Sequence, residues 1–341
     1  MPINLGILGM GYMGRTHYEA YQQLADVHIR AICDNKLARA QGDLTGTAGN
    51  VLKEGIDRIS MEGVHGTTNW REVVDLPDVD AVDICTRTPS HVEITIAALE
   101  QGKHVICEKP LARSSADAAK IVAAAERSRA VFMPAMCLRF WPEWVWAKEA
   151  VADRRFGRVV GATFRRVASM PKGWFSDGAQ SGGALVDLHI HDVDFILWLF
   201  GRPASVFSRG YSKTSGAVDH VFTQYLFAAA DAPQLVTAEG CWCMADGFEF
   251  EMSFTINFET ATLDYDFARG AQALKLFREG RTEVVTCKTE NGYVGELRYF
   301  TDCIRSGAKP TTVTGRDAVE CLKVLEAEQE SVLSGRLVES G

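Results

Sequence analysis

One lysine in this sequence is placed where it could stabilise a negative charge that develops during a reaction. Lys109 lies between Glu108 and Pro110, directly after the apolar stretch 104–107. If 104–107 is a strand of a parallel sheet, Lys109 lies at the carboxyl edge of that sheet, where ligands of such folds bind. Its ammonium could then point at a substrate hydroxyl or carbonyl; a solvated loop lysine is the alternative.

A second segment, residues 182–194, contains a candidate acid–base pair. If the segment is helical, Asp187 and His191 share a face because they are four residues apart, and Asp194 is next in line. An aspartate that accepts from one imidazole nitrogen leaves the other free as a base near neutral pH. So many polar groups directly before the apolar run 195–200 are hard to explain as a solvated face.

The same segment leaves a metal centre open as an alternative. His189 and His191, with Asp187, Asp192 and Asp194 beside them, supply nitrogen and oxygen ligands of the kind found in metal hydrolases. Both histidines would have to share one face, as in a strand, whereas a helix separates them by about 200°. Because the following residues continue at a helical period, we expect no metal.

The N-terminus carries a strand, a glycine loop, a helix and a second strand in register. Gly9, Gly11 and Gly14 follow the strand 3–8, and the second strand ends at Asp34. In such a unit the glycines allow a sharp turn, the close approach of a pyrophosphate and tight packing of the helix, whose N-terminus favours negative charge. The cofactor-binding residues predicted here are Gly9, Gly11, Tyr12, Met13, Gly14 and Asp34.

Asp34 favours NAD over NADP as the cofactor. It lies 20 residues past Gly14, where its carboxylate can accept hydrogen bonds from the adenosine ribose diol. The same carboxylate would repel a 2'-phosphate. We therefore predict NAD, with NADP the less favoured cofactor.

The elements that position these residues alternate between strand and helix along the first part of the chain. This alternation predicts a doubly wound parallel sheet, and so an NAD(P)-binding Rossmann domain over residues 1–125. The predicted strands are 3–8, 28–33, 81–86, 104–107 and 131–136, and the predicted helices are 15–24, 91–101 and 115–127.

Beyond residue 157 the pattern changes to long β-rich runs joined by loops. It predicts an α+β domain over residues 126–341 with a large open, mostly antiparallel sheet, entered through a hinge at 138–151. We expect helices on one face of this sheet and a partner subunit on the other. The predicted strands are 159–168, 204–211, 218–229, 234–244, 248–258, 260–267 and 273–277; helices are predicted from Ala184, at 297–305 and at 318–334.

The composition is that of an ordinary globular protein and excludes two classes of partner. The chain has 341 residues, 47% of them hydrophobic, and a formal net charge of −8. The negative charge argues against nucleic-acid and anionic-membrane partners, which need a basic face. The glycine loop interrupts the first apolar strand before it could form a signal peptide, and nine cysteines fit reduced thiols. We expect a cytoplasmic protein.

Taken together, these motifs resemble the Gfo/Idh/MocA family, named after glucose-fructose oxidoreductase, inositol dehydrogenase and a rhizopine catabolism protein. The resemblance rests on the loop 9–14, Asp34, the run 97–110, the segment 182–194 and a closing helix before Gly335. It implies an N-terminal Rossmann domain, a C-terminal domain with an open sheet, and homodimers or homotetramers formed through that sheet.

The resemblance also implies roles for individual residues. Lys109 matches the family's active-site lysine, Asp187 its motif aspartate, His191 its catalytic histidine and Asp194 a position that contacts sugar hydroxyls. Further cofactor contacts are implied for Thr86, Thr88, His91, Glu108 and Lys109. Arg87 departs from the pattern, because many relatives have proline there, which puts the shape of this loop in question. Candidates for the sugar pocket are Arg139, Trp141, Arg165, Lys172, Trp174 and Phe175.

The predicted function is hydride transfer between a nicotinamide cofactor and a hydroxyl or carbonyl of a sugar, polyol or sugar derivative. Two alternatives stay open. The first is a redox-neutral reaction, in which transient oxidation by a retained cofactor allows a glycosidic bond to be eliminated. The second is a non-catalytic sensor of dinucleotide or sugar.

Overall fold

The computed structural model describes residues 2–47 and 55–340. These residues form two compact units. The first comprises Met1–Phe140 and Glu290–Val319, and the second comprises Trp141–Thr289 and Glu320–Gly341. The change from the first unit to the second falls inside the predicted hinge at 138–151.

The first unit contains a parallel sheet whose central strands are almost fully buried. Its described strands lie in the order β3-β2-β1-β4-β5-β6, which is the doubly wound order of dinucleotide-binding folds. Because Phe132–Ala135 pairs with the neighbouring strand, the unit extends beyond the predicted boundary at residue 125. The strands are β1 (Ile3–Leu8), β2 (Val27–Cys33), β3 (His65–Thr67), β4 (Ala81–Ile84), β5 (His104–Glu108) and β6 (Phe132–Ala135).

Helices cover this sheet, and local sequence explains where they begin. The Ser114 side chain accepts a hydrogen bond from the Asp117 backbone N–H at the start of the helix that follows it, and Asn69 does the same for Arg71. Such caps satisfy N–H groups that the helix itself cannot. The helices are α1 (Tyr12–Tyr21), α2 (Leu37–Ala40), α3 (Trp70–Asp75), α4 (His91–Glu100) and α5 (Ser115–Arg127).

The second unit is built on a mixed sheet that is antiparallel except between β7 and β10. The order of its described strands is β14-β13-β12-β11-β7-β10-β9-β8-β15. The strands are β7 (Val159–Ser169), β8 (Ser205–Tyr211), β9 (His220–Leu226), β10 (Leu235–Met244), β11 (Glu251–Phe258), β12 (Thr262–Asp266), β13 (Leu274–Arg278), β14 (Arg281–Val284) and β15 (Val338–Glu339).

One face of the second sheet is covered and the other is exposed. On β9, Val221 and Tyr225 are buried, whereas Phe222 and Leu226 at the alternate positions are exposed. This two-residue alternation is typical of an antiparallel sheet with one face packed on a core.

The helices on the covered face include two short ones directly before the longer helix that carries His191. The single helix predicted from Ala184 is in fact two helices, because Leu188 and His189 form a turn between them. This corrects the assumption of one uninterrupted helical face. The helices are α6 (Pro142–Ala152), α7 (Gly178–Ser181), α8 (Gly183–Asp187) and α9 (Ile190–Phe200).

Aromatic side chains fill the space between the helices and this sheet. The Trp144 ring of α6 lies 4.5 Å from the Phe195 ring of α9 and 4.9 Å from the Phe254 ring of β11, centroid to centroid. Both contacts are edge-to-face, the arrangement that aromatic quadrupoles favour. This cluster anchors α9, which carries His191, to the sheet.

Two helices follow the second sheet in the chain, α10 (Gly292–Ser306) and α11 (Gly315–Ser334). α10 belongs to the first unit, where it packs on α1. α11 begins in the first unit and continues in the second from Glu320. Within the described ranges, every helix is too short or too polar to cross a membrane.

Candidate active site

The glycine loop between β1 and α1 has the geometry that its spacing predicts. Gly9 has a φ of +95°, and a Cβ there would lie 2.6 Å from the Cys85 carbonyl oxygen. A Cβ on Gly14 would overlap the Gly9 carbonyl oxygen. The turn and the close helix packing therefore both require glycine.

Gly11 differs from these two because a Cβ there would meet no described atom within 4 Å. It is the N-cap of α1, whose first N–H groups have no acceptor within the helix. Open space beside a helix N-terminus suits a pyrophosphate, which needs close backbone approach and N–H donors. The loop therefore fits the dinucleotide that the sequence predicts.

Asp34 links the end of β2 to this loop. One carboxylate oxygen accepts from the Met10 backbone N–H at 2.8 Å, and the other accepts from the Lys36 backbone N–H at 2.8 Å. Each oxygen has a second lone pair, so the carboxylate can still accept from a ribose diol.

The loop after β4 has a backbone at Arg87 that proline could also adopt. Arg87 has a φ of −72°, which is the value that a proline ring imposes. Thr88 is buried at the start of a short 3-10 turn, and the Ser90 hydroxyl donates to the Thr86 hydroxyl at 2.8 Å. The φ of Arg87 is therefore compatible with either arginine or proline at this position.

His91 holds this loop to the neighbouring one. Its Nδ1 lies 2.9 Å from the Pro110 carbonyl oxygen and its Nε2 lies 2.9 Å from the Thr86 carbonyl oxygen. Burial lowers the pKa of His91, although the two carbonyls favour the charged form. Because both ring nitrogens face backbone carbonyls, we infer that His91 acts on the cofactor site by fixing the two loops.

Lys109 lies at the carboxyl edge of the parallel sheet, directly after β5. Its backbone N–H donates to a Glu108 carboxylate oxygen at 3.0 Å, and the Lys109–Pro110 peptide is cis. Glu108 is buried and Lys109 is half-buried. The strand ends at Gly9, Asp34 and Lys109 thus all lie on the edge where ligands of doubly wound sheets bind.

The second unit carries the other candidate residues. Asp187 is the last residue of α8, and His191 lies in the first turn of α9 with Asp194 one turn further. Asp187 and Asp194 are buried and His191 is half-buried. His191 is therefore the more accessible titratable group of the three, as a general base requires.

The residues that flank His191 are bound to the sheet behind it. Asp192 accepts from Arg166 of β7 at 2.9 and 3.2 Å, in a pair buried on both sides. His189 Nε2 lies 3.1 Å from the Tyr225 hydroxyl and 3.3 Å from a carboxylate oxygen of Glu328. The ligand atoms of His189, His191 and Asp192 are not among the groups of described residues that lie close enough to share a metal ion. The absence of a metal stays a prediction.

The candidates for the sugar pocket divide into two groups. Arg139 is buried and donates to the Thr312 carbonyl at 2.8 Å, with Asp317 at 3.4 Å. Arg165 lies on the exposed face of the second sheet and pairs with Glu239 at 2.9 Å. These contacts hold both arginines within the fold, and their assignment to the sugar pocket stays a prediction.

The aromatic candidates cluster in the second unit. The Trp174 and Phe175 rings lie 4.5 Å apart, and Phe175 packs against Trp242 at 5.6 Å. Both residues are half-buried, and Lys172 before them is exposed. The segment therefore presents partly accessible aromatic faces, which suit the C–H surfaces of a sugar.

A buried polar cluster beneath Lys109 was not assigned a function from the sequence. His17 Nδ1 lies 2.8 Å from Asp83 Oδ2, and the Cys85 thiol lies 3.4 Å from the same nitrogen and 3.2 Å from Asp83 Oδ1. The signal that could have revealed it is a histidine three residues past Gly14, inside a helix that packs on the strand ends.

This is the one group within residues 2–47 and 55–340 whose ligand atoms lie close enough to share a metal ion. A metal would need the Cys85 thiolate, but burial and then the Asp83 carboxylate raise the pKa of this thiol well above its usual value. The distances between the side chains are also those of direct hydrogen bonds. We therefore interpret the cluster as hydrogen-bonded.

Comparisons with known proteins agree with the two-part organisation. Residues 3–136 match the family described as "Oxidoreductase family, NAD-binding Rossmann fold" and residues 144–264 match the GFO/IDH/MocA C-terminal domain. Levoglucosan dehydrogenase of Pseudarthrobacter phenanthrenivorans is 31% identical over 60% of this chain and 53% of its own length. Myo-inositol 2-dehydrogenase of Thermotoga maritima is 25% identical over 98% of both chains.

A solved structure of levoglucosan dehydrogenase in complex with NADH and levoglucosan has the same fold. Its TM-score is 0.83 at 22% identity, and the comparison covers 100% of both chains.

Proposed function

Because the chain belongs to the GFO/IDH/MocA oxidoreductase family, with its NAD-binding Rossmann fold, we propose that it is an NAD-dependent dehydrogenase of a sugar or polyol. The observation that carries this proposal is the open space at Gly11 beside the start of α1, on the same sheet edge as Lys109. The relatives named above, which are dehydrogenases of levoglucosan and myo-inositol, support the substrate class.

NAD is the proposed cofactor rather than NADP. The Asp34 carboxylate is held at the end of β2 by two backbone N–H groups, so it cannot swing away from an incoming 2'-phosphate without losing both hydrogen bonds. A charge-assisted hydrogen bond of this kind contributes about 1.5–3 kcal/mol. The held carboxylate therefore favours the ribose diol of NAD.

The proposed mechanism assigns one task to each polar residue. NAD⁺, when bound, supplies the acceptor for the hydride that leaves the substrate carbon. His191 removes the hydroxyl proton, and the Lys109 ammonium stabilises the oxygen as negative charge develops on it. Asp187 orients the imidazole, so that the accepting nitrogen faces the hydroxyl.

Two further residues of the second unit are proposed to contact the substrate. Asp194 accepts from a further hydroxyl, and Trp174 offers a ring face to the sugar C–H groups. The partly buried positions of Trp174 and His191 support this assignment.

We further propose that the protein forms a homodimer or homotetramer through the exposed face of its second sheet. Phe222 of β9 is 48% exposed and Leu235 of β10 is 50% exposed. A self-complementary apolar face of this kind is what a symmetric pair of subunits buries.

A cytoplasmic location is part of the same proposal. All nine cysteines lie in the described ranges, and none of them forms a disulfide there. Burial raises the pKa of the Cys33 thiol to about 12, so this thiol stays protonated. Such thiols fit a reducing compartment.

The experiment that tests the function is a panel of inositols, aldoses, anhydrosugars and glycosides with NAD⁺ and with NADP⁺, followed at the absorbance of reduced nicotinamide. We expect growth of that absorbance with at least one sugar or polyol, faster with NAD⁺. Product release without such growth would support redox-neutral elimination instead.

Lys109→Ala tests the role assigned to Lys109, and the NADH affinity of the variant is the control for an intact fold. We expect turnover to fall at least about 100-fold, the usual loss when a donor to a developing oxyanion is removed. The affinity for NADH, measured by fluorescence, should stay within a few-fold of wild type. Full turnover in this variant would contradict the role of Lys109, and a wild-type protein with no turnover on any sugar would favour a sensor.

A further inference from the structure

We propose that His17 is a positioning residue that orients Lys109 through the carboxylate of Glu108. This inference rests on the role of Lys109 in the proposed function. It concerns a residue of α1 that lies behind the sheet edge and is fully buried.

The geometry places both ring nitrogens of His17 against carboxylates. Nδ1 lies 2.8 Å from Asp83 at the end of β4, and Nε2 lies 3.2 Å from Oε1 of Glu108 at the end of β5. The contact with Asp83 is a hydrogen bond, whereas the contact with Glu108 is an ion pair, because Nε2 makes no hydrogen bond of good geometry. Two carboxylates on opposite sides of a buried imidazole stabilise the form in which each nitrogen carries a proton. His17 thus bridges two neighbouring strands as an imidazolium.

Glu108 transmits this contact to the lysine. Its Oε1 faces His17, whereas its Oε2 accepts from the Lys109 backbone N–H at 3.0 Å. The Glu108 carboxylate therefore connects the His17 imidazolium to the backbone of Lys109, whose ammonium is proposed to act on the substrate. Because a carboxylate is planar, holding one oxygen fixes the direction of the other.

The surroundings of His17 support the charged state. Burial opposes the charge, but the Asp83 carboxylate and Cys85 outweigh it and raise the pKa of His17 well above its ordinary value. The Tyr293 ring of α10 lies 6.2 Å from the His17 ring, centroid to centroid. A buried imidazolium with paired carboxylates is a rigid support, because losing either contact leaves an unpaired charge.

Two substitutions of His17 separate its two contacts. The amide of asparagine can take the place of Nδ1 and keep the contact with Asp83, whereas the longer glutamine can take the place of Nε2 and keep the contact with Glu108. If His17 acts through Glu108, His17→Asn lowers kcat about 10- to 100-fold, the range that a misplacement of about 1 Å produces. His17→Gln then stays within a few-fold of wild type.

The affinity for NADH and the melting temperature of each variant are measured beside kcat and KM. We expect the loss in His17→Asn to fall on kcat, with NADH affinity within a few-fold of wild type. The reverse order, in which His17→Asn is active and His17→Gln is not, would mean that His17 serves only to anchor Asp83, and would overturn the inference.

Glu108→Gln tests the same link from the other end and serves if His17→Asn does not fold. We expect at least a tenfold loss of kcat, and no further loss in the double variant His17→Asn/Glu108→Gln, because both changes break one link. Wild-type kcat in Glu108→Gln, or independent additive losses, would overturn the inference.

The result for Lys109→Ala separates this inference from the proposed function. If Lys109→Ala keeps full turnover, the proposed function fails and this inference fails with it. If Lys109→Ala loses turnover but the His17 and Glu108 variants do not, this inference alone fails.

Discussion

At the scale of single residues, the glycine loop shows three glycines with different physical duties. Gly9 and Gly14 are required because a Cβ at either would run into backbone of the protein itself, whereas at Gly11 the space is open. The first two glycines therefore serve the fold and the third serves the ligand. Replacing each of two glycines by alanine, which adds one methyl group, measures this difference between fold and ligand binding.

Gly11→Ala and Gly14→Ala form a matched pair. We expect Gly11→Ala to melt as wild type and to bind NADH at least tenfold more weakly, because its methyl occupies the space for the pyrophosphate. Gly14→Ala should lower the melting temperature by roughly 2–10 °C, since the added atom forces α1 from the sheet at a cost of about 1–3 kcal/mol. A Gly11→Ala protein that binds NADH normally would contradict the placement of the cofactor.

His91 gives a pH dependence whose sign follows from its burial. Its pKa in the folded protein lies below the ordinary 6.5, so it contributes stability that is present above pH 6.5 and lost as the pH falls toward the folded value. His91 should therefore contribute a drop in the melting temperature of wild type between pH 7.5 and pH 5.5, whereas His17, whose pKa is raised, contributes in the opposite direction in both proteins. In His91→Gln the drop should be smaller, and parallel curves for the two proteins would show that His91 does not titrate as described.

At the scale of elements, α9 depends on a buried ion pair for its position on the sheet. Arg166 of β7 and Asp192 of α9 are both buried, and the Arg166 guanidinium lies 5.8 Å from the centre of the Trp144 ring. The pair therefore links the strand, the helix and the aromatic cluster. Because Asp192 adjoins His191, the same contact restrains the backbone of the proposed base.

Asp192→Asn should destabilise the protein by about 3–5 kcal/mol, because it leaves a buried guanidinium without its counter-charge. Asp231→Asn is the matched control: Asp231 pairs with Arg154 at 2.6 Å, but both side chains are more than half exposed, and such pairs contribute about 1 kcal/mol or less. Urea unfolding of the two variants measures the difference. Equal stabilities would show that burial of the Arg166 pair has no energetic consequence.

At the scale of the whole molecule, the exposed face of the second sheet is the surface that the proposed association with another copy would cover. Three adjacent strands of this face, β8 to β10, carry exposed large apolar side chains. These exposed side chains are Phe207, Tyr211, Phe222, Leu226 and Leu235.

Phe222→Glu tests the proposed assembly. A charge at the centre of a buried apolar interface is costly to desolvate, so we expect the variant to elute as a monomer in size-exclusion chromatography with light scattering. Leu37→Glu is the control, because Leu37 is 57% exposed on α2 of the first unit and should leave the oligomer intact. A monomeric wild type would refute the assembly itself.

Much of the fold follows from local patterns in the sequence. β1 and α5 occur at the predicted residues, and the strands β7 to β13 lie at or within a few residues of the predicted ones. β3, α3 and β14 were not predicted, because segments of three to six residues are too short to show a period. Their conformation depends on pairing with strands already in place.

The sequence by itself determined the chemistry available at the sheet edge: three glycines, an acid 20 residues on and a lysine after a strand. These signals are local, since each depends on neighbours within one strand–loop–helix unit. The tertiary structure alone decided which polar groups became partners. Asp83 and Glu108 meet His17, Arg166 meets Asp192, and the turn at Leu188 and His189 divides a predicted helix. These residues are far apart in the chain or are held by distant side chains, so no local period encodes them.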